Sequence, residues 1–193
     1  TFTDGDRTTI VYHTPRGDLR SVYQRTEQTT GHVEFPCKTA DDIEALLAIP
    51  YEPPDPDPAE FHRWRDRMGD EGMVLAGMGT ALCWAADMFS PQDFSLLWAD
   101  APDAMIELTR VGNERLLEWA DRACRKGVDG FRLVGGEYAS TQLGPRAYDA
   151  LCRVFDGELV RLLRSHGAWV YYHNHGPIMR YLDMIVDIAP HAL

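Results

Sequence analysis

The chain opens with a two-residue rhythm. Residues 8–13 (Thr-Thr-Ile-Val-Tyr-His) and 19–25 (Leu-Arg-Ser-Val-Tyr-Gln-Arg) alternate β-branched or aromatic side chains with polar ones, the pattern of half-buried strands. Thr14-Pro-Arg-Gly-Asp18 between them is turn chemistry, so the pair predicts an antiparallel hairpin, with 31–35 adding a third strand. The period then becomes helical. Thr39 stands as an N-cap before Asp41 and Asp42, and Ile43, Leu46 and Leu47 share one face up to Pro50. Tyr51-Glu-Pro-Pro-Asp-Pro-Asp-Pro58 is a stiff extended connector, and a second helix follows over 58–68.

From residue 70 onward strand and helix patterns alternate. Met73-Val-Leu-Ala-Gly77 reads as a buried strand, followed by helices over 81–89 and 91–98 and a long one over 101–126 closed by Gly127. Asp129–Val134 is the next strand. Pro145 starts a helix that runs to His166, strand 168–173 follows, and a helix over 177–188 ends the pattern. Such βα alternation predicts a parallel sheet. No glycine-rich nucleotide fingerprint follows any strand. The chain thus divides into a hairpin region (1–36), a helical connector (37–69) and βα units (70–193), read together as one domain.

Composition narrows the classes of partner. Of 193 residues 45% are hydrophobic, enough for a sizeable core, and 30 acidic side chains face 19 basic ones, a formal charge of −11. Nucleic acid and anionic membrane are therefore not expected partners, since no basic patch would neutralise phosphates. No apolar run is long enough to span a bilayer, and a cytoplasmic enzyme with a small-molecule substrate, forming a homo-oligomer, is the expectation. Cys37, Cys83, Cys124 and Cys152 form no CxxC pair; Cys124 and Cys152 read as buried hydrophobes.

The chemistry concentrates at Ala168-Trp-Val-Tyr-Tyr-His-Asn-His-Gly176. Side chains at i and i+2 of a strand share a face, so His173 and His175 lie about 6–7 Å apart along the strand and can share one metal ion. Asn174, pointing the other way, reads as a turn former. In α/β folds ligands gather at the carboxyl ends of strands. The end of the preceding strand offers Gly135-Gly136-Glu137, where Glu137 serves as a third ligand or a general base. Arg132, charged within a parallel strand, faces either an anion or a buried partner, and Trp84 and Tyr138 either wall a pocket or pack in the core.

Several segments in order resemble a known family. Phe35-Pro-Cys-Lys-Thr-Ala-Asp-Asp-Ile-Glu-Ala-Leu46 with Leu47, Val74-Leu-Ala-Gly77, Gly127-Val-Asp-Gly130, Leu143-Gly-Pro-Arg-Ala-Tyr148 and Tyr172-His-Asn-His-Gly176 are similar to stretches of the uroporphyrinogen decarboxylase-like superfamily. The resemblance implies a (β/α)8 TIM-type barrel. Here only part of the barrel is present, about four βα units, carrying an N-terminal hairpin excursion. The superfamily contains cofactor-free decarboxylases of uroporphyrinogen and zinc-dependent methyltransferases that exchange methyl groups between corrinoid proteins and thiols. The decarboxylase branch carries a Tyr where this chain reads Cys83-Trp84-Ala85, and an arginine-bearing N-terminal segment that is absent here. In the methyltransferase branch His173 matches a zinc-binding His, while His175 stands in place of a zinc-binding Cys.

The expectation is therefore a metal-dependent methyltransferase-like enzyme. Zinc is held by His173 and His175, His173 and Glu137 are catalytic, Trp84, Arg132 and Tyr138 contact substrate, and a corrinoid protein is a partner. The alternatives are a cofactor-free decarboxylase of a tetrapyrrole-like carboxylate, a metal-dependent hydrolase, and a non-catalytic binding barrel.

Overall fold

The computed structural model describes residues 1–193 as two compact units, Thr1–Tyr51 with Ala85–Leu108, and Glu52–Trp84 with Thr109–Leu193.

The first unit is built on an antiparallel meander of β1 (Phe2–Asp4), β2 (Arg7–Thr14), β3 (Gly17–Arg25) and β4 (Thr30–Glu34), in that order. The expected hairpin is β2–β3, closed by the Thr14–Gly17 pair, with Gly17 at φ 116° where a side chain would be strained. The alternation buries Leu19 and Ser21 on one face of β3, and a bulge at Val22/Tyr23 shifts its register against β4. Helix α1 (Ala40–Leu47) begins with a reciprocal cap. The Thr39 hydroxyl accepts from the Asp42 amide, and the Asp42 carboxylate accepts from the Thr39 amide at 2.9 Å. Its Ile43, Ala45 and Leu46 are buried, and it packs on β2 and β3. In the same unit, Cys37 donates its amide to Met88 at 2.9 Å, and α4 (Pro91–Asp100) buries Phe94 and Leu97.

The second unit holds α2 (Ala59–Met68) and a separate, parallel sheet of β5 (Ala76–Gly79), β6 (Gly130–Val134) and β7 (Trp169–His173), ordered β5-β6-β7. Its register pairs Gly79 with Val134 and Val134 with His173, so the three carboxyl ends finish level. Beyond β7 the Tyr172 amide donates to Ala192 at 2.9 Å, an isolated parallel bridge on the outer edge. The sheet is open, and no closed barrel is formed. Phe131, Leu133, Val170 and Tyr172 are buried; α7 (Phe155–Ser165), with Leu159 and Leu163 buried, packs on β7, and α8 (Leu182–Ile188), with Ile185 and Ile188 buried, packs on α7.

Three expected elements differ. The strand at 73–77 lies instead at 76–79, and only its Met78 is buried, because pairing with Phe131–Val134 fixes the register and an unbroken apolar run carries no phase. The continuous helix over 145–166 is broken into α6 (Pro145–Ala147), a π-helical turn over Tyr148–Arg153 and α7, with another π-helical turn at Ala139–Leu143. The helix over 177–188 starts as a tighter turn over Ile178–Tyr181. The long helix is α5 (Pro102–Arg125), followed by Gly127 at φ 86°, and α3 spans Ala81–Asp87. All four cysteines are free; Cys152 is buried and Cys124 half-buried. No helix is long and apolar enough to cross a membrane.

Candidate functional site

The level carboxyl ends of β5, β6 and β7 bring Thr80, the Gly135-Gly136-Glu137 turn and the His173-Asn174-His175 run to one corner of the second unit. The corner is tied by backbone. Thr80 donates its amide to Val134 at 2.8 Å, and the Cys83 thiol donates to the same carbonyl at 3.0 Å. Glycine is required where the strands crowd. A Cβ on Gly135 would stand 2.7 Å from the Thr80 hydroxyl, and one on Gly136 would stand 2.6 Å from the Asn174 amide nitrogen.

Strand alternation splits β7 and its extension into two sets of side chains. His173 and His175 turn to the open face, where their Nε2 atoms approach to 2.7 Å with the rings nearly perpendicular. That contact holds one proton, so one imidazole donates and the other accepts. Tyr171 lies against His173, its hydroxyl 3.4 Å from Nδ1. Partial burial, then the Arg132 charge and His175, hold His173 below its ordinary pKa, while Glu137 acts in the opposite direction. His173 is therefore held toward its neutral form, the form that ligates metals.

Tyr172 and Asn174 turn the other way, into the protein. The Tyr172 hydroxyl donates to Asp156 Oδ2 at 2.5 Å, and the Asn174 side-chain amide donates to the Tyr148 hydroxyl at 3.0 Å. Tyr148 stacks on Tyr181 with ring centroids 4.5 Å apart. Burial pushes the Asp156 carboxyl up to about 7, against the opposing pull of the Tyr172 hydroxyl, and the Glu137 charge raises it further. The Thr80 hydroxyl lies close enough to favour the Asp156 carboxylate but not in hydrogen-bonding geometry. Burial likewise raises Tyr148 and Tyr172.

Tyr172→Phe removes the donor to a carboxyl that is only 1% exposed. The expected outcome is a loss of about 1–3 kcal/mol in urea unfolding, with the Asp156 pKa rising further by carboxyl-region NMR or infrared titration. An unchanged midpoint would show that the hydrogen bond contributes nothing.

The expected site residues separate into two groups. His173, His175, Arg132 and Glu137 come together: Arg132 is in register with Tyr171 on the face that carries His173, and both its charge and that of Glu137 act on His173. Trp84 does not join them; it lies on α5, where a Cβ on Gly112 would meet its ring at 2.6 Å and Arg115 stacks over it. Tyr138 is half-buried at the start of the Ala139–Leu143 turn. Asn174 is more than a turn former, since it anchors on Tyr148. Asp156 escaped the sequence reading although its signal was present. It falls on the stripe Cys152, Phe155, Leu159, Val160 and Leu163, an acid at a core position of a helix.

The fit to a metal is partial. Two imidazole nitrogens on a tetrahedral zinc stand about 3.3 Å apart given bonds of about 2.0–2.1 Å, so a small opening of the histidine pair would admit the ion. Nowhere do three His, Cys, Asp or Glu side chains converge on one point. The residues present thus supply two ligands of the three that a catalytic zinc takes from protein.

The fold is methyltransferase-like. A methyltransferase from Methanosarcina mazei superposes with a TM-score of 0.61 over 84% of this chain, at 12% sequence identity. That match covers 48% of the methyltransferase, so the chain spans about half its length. No family model and no curated protein matches the sequence.

Proposed function

We propose that the chain carries the strand-end site of a metal-dependent, methyltransferase-like enzyme of the uroporphyrinogen decarboxylase-like superfamily, with a thiol or a corrinoid protein as methyl partner. The observation that carries this reading is the approach of His173 and His175 to 2.7 Å at the carboxyl end of a parallel strand, in a methyltransferase-like fold. His173 and His175 would hold zinc through Nε2, and zinc supplies Lewis-acid polarisation of a bound sulfur or oxygen. Tyr171 orients the first imidazole at Nδ1, as an outer partner commonly does for a metal-bound histidine. Glu137 takes up the proton that the methyl acceptor releases, and Arg132 holds a negatively charged part of the substrate on the open sheet face. With nitrogen ligands only, the site donates less electron density to the metal than one containing a thiolate.

The test is elemental analysis of purified, zinc-loaded protein beside the His173→Ala/His175→Ala double variant. The expected result is one zinc per chain, lost in the double variant, with methyl transfer from a methylated corrinoid to a thiol following the same pattern. A wild-type chain that retains no zinc, or a double variant that keeps it, overturns the assignment.

A further inference from the structure

Four side-chain atoms in the protein are buried without a hydrogen-bond partner, and all are oxygens: Thr80 Oγ1, Glu137 Oε2, Asp156 Oδ1 and Asn174 Oδ1. They come from four different segments of one unit, immediately after β5, after β6 and after β7, and from α7. Chance scatter would not gather every such atom at one corner, since each buried polar group ordinarily finds a partner. Asp156 and Thr80 are each only 1% exposed, so bulk water does not serve them.

The backbone between them has been kept bare. A Cβ on Gly135 would fall 2.7 Å from Thr80 Oγ1 and 3.2 Å from Asp156 Oδ2, and one on Gly136 would fall 3.1 Å from Asn174 Oδ1. The set contains acceptors almost alone. With Asp156 ionised, the single hydroxyl hydrogen of Thr80 is set against two carboxylate oxygens and an amide oxygen. The other polar groups are already committed, the Tyr172 hydroxyl to Asp156 Oδ2 and the Asn174 nitrogen to Tyr148. What satisfies such a set is a positive centre.

We infer that Thr80, Glu137, Asp156 and Asn174 form a binding site for a hard divalent cation, magnesium or calcium, buried behind the histidine pair. Hard cations take oxygen ligands, mixing carboxylate, amide and hydroxyl, and two carboxylates match a double charge. Nitrogen and sulfur ligands are absent from the set, which separates it from the zinc-type chemistry of His173 and His175. The ion would tie the three strand ends to α7 and hold Asn174, the residue between the two histidines. The inference stands on the oxygens alone and does not depend on the function of the histidine pair.

The test uses chelator-stripped protein and terbium(III), a luminescent stand-in for calcium that buried tyrosines sensitise. Tyr172, hydrogen-bonded to Asp156, is placed to do so. The expected result is saturable terbium emission on tyrosine excitation, displaced by calcium or magnesium and accompanied by a rise in Tm with that ion. Asp156→Asn and Glu137→Gln each abolish it, while His173→Ala/His175→Ala retains it. Two acidic variants guard against one failing to fold, which circular dichroism reports. Absence of emission and of any Tm shift with either ion overturns the site, as does a signal that both acidic variants keep or that the histidine double variant loses.

Discussion

In metal-free buffer, Asp156→Asn should make the protein more stable at pH 8 than the wild type and flatten its stability between pH 4 and 7. The folded-state carboxyl titrates near 7 against an ordinary 3.8, with burial as the main cause. A raised acid pKa means that the native state keeps its proton where the unfolded chain has lost it. Stability is therefore complete below the unfolded pKa, falls as pH rises and levels off above 7. The span is about three pH units, or about 4 kcal/mol at roughly 1.4 kcal/mol per unit. Asparagine reproduces the neutral acid, accepting from Tyr172 and offering an N–H toward Thr80, without the charge. Urea unfolding of both proteins from pH 4 to 8 measures the difference. Parallel curves would show that Asp156 ionises normally in the folded state. A saturating dose of the cation proposed for the pocket should narrow the gap, because a positive centre supplies what the buried carboxylate lacks.

Gly136→Val is the second large effect. Gly136 has φ 46°, a conformation that a β-branched residue resists, and the new Cβ would stand 2.6 Å from the Asn174 nitrogen. Backbone strain and overpacking each cost about 1–3 kcal/mol, so the expected loss is about 2–6 kcal/mol. Gly144→Ala is the control. It has φ 89° with nothing within 4 Å of its Cβ, and should lose only the backbone part, about 1–2 kcal/mol. The Gly136 variant should also weaken the zinc binding proposed for the histidine pair, because displacing Asn174 from Tyr148 releases the segment between the two histidines. Equal losses for the two variants would mean that the close approach to Asn174 is relieved at no cost.

Local patterns made the first unit legible. The β2–β3 hairpin was written in its alternation and turn residues, and α1 in Thr39, Asp42 and its apolar face. The parallel strands β6 and β7 were legible for the same reason, and with them the direction of His173 and His175. What failed was nonlocal. The position of β5 depends on pairing with a strand some fifty residues on, and Met73–Gly77 alone cannot disclose it. The π-helical turn over Tyr148–Arg153 contains neither Gly nor Pro, so nothing within it announces a break. The sequence left Trp84 open between pocket wall and core, because the space made for it by Gly112 lies 28 positions away in α5. Asp156 carries a local signal, an acid within an apolar helical stripe, but its partner Tyr172 lies on a separate strand.

The alternation along β7 gives this segment something like a reading frame. Tyr172 and Asn174 are spelled inward and His173 and His175 outward. Inserting or deleting one residue between Trp169 and Tyr172 would exchange the two sets, driving imidazoles into a core fitted to tyrosine and leaving Asp156 facing the wrong chemistry. A two-residue change would restore the phase but carry the histidines one pleat, about 6–7 Å, away from Glu137. Homologous chains that keep this chemistry should therefore hold the distance from Gly167 to His175 fixed.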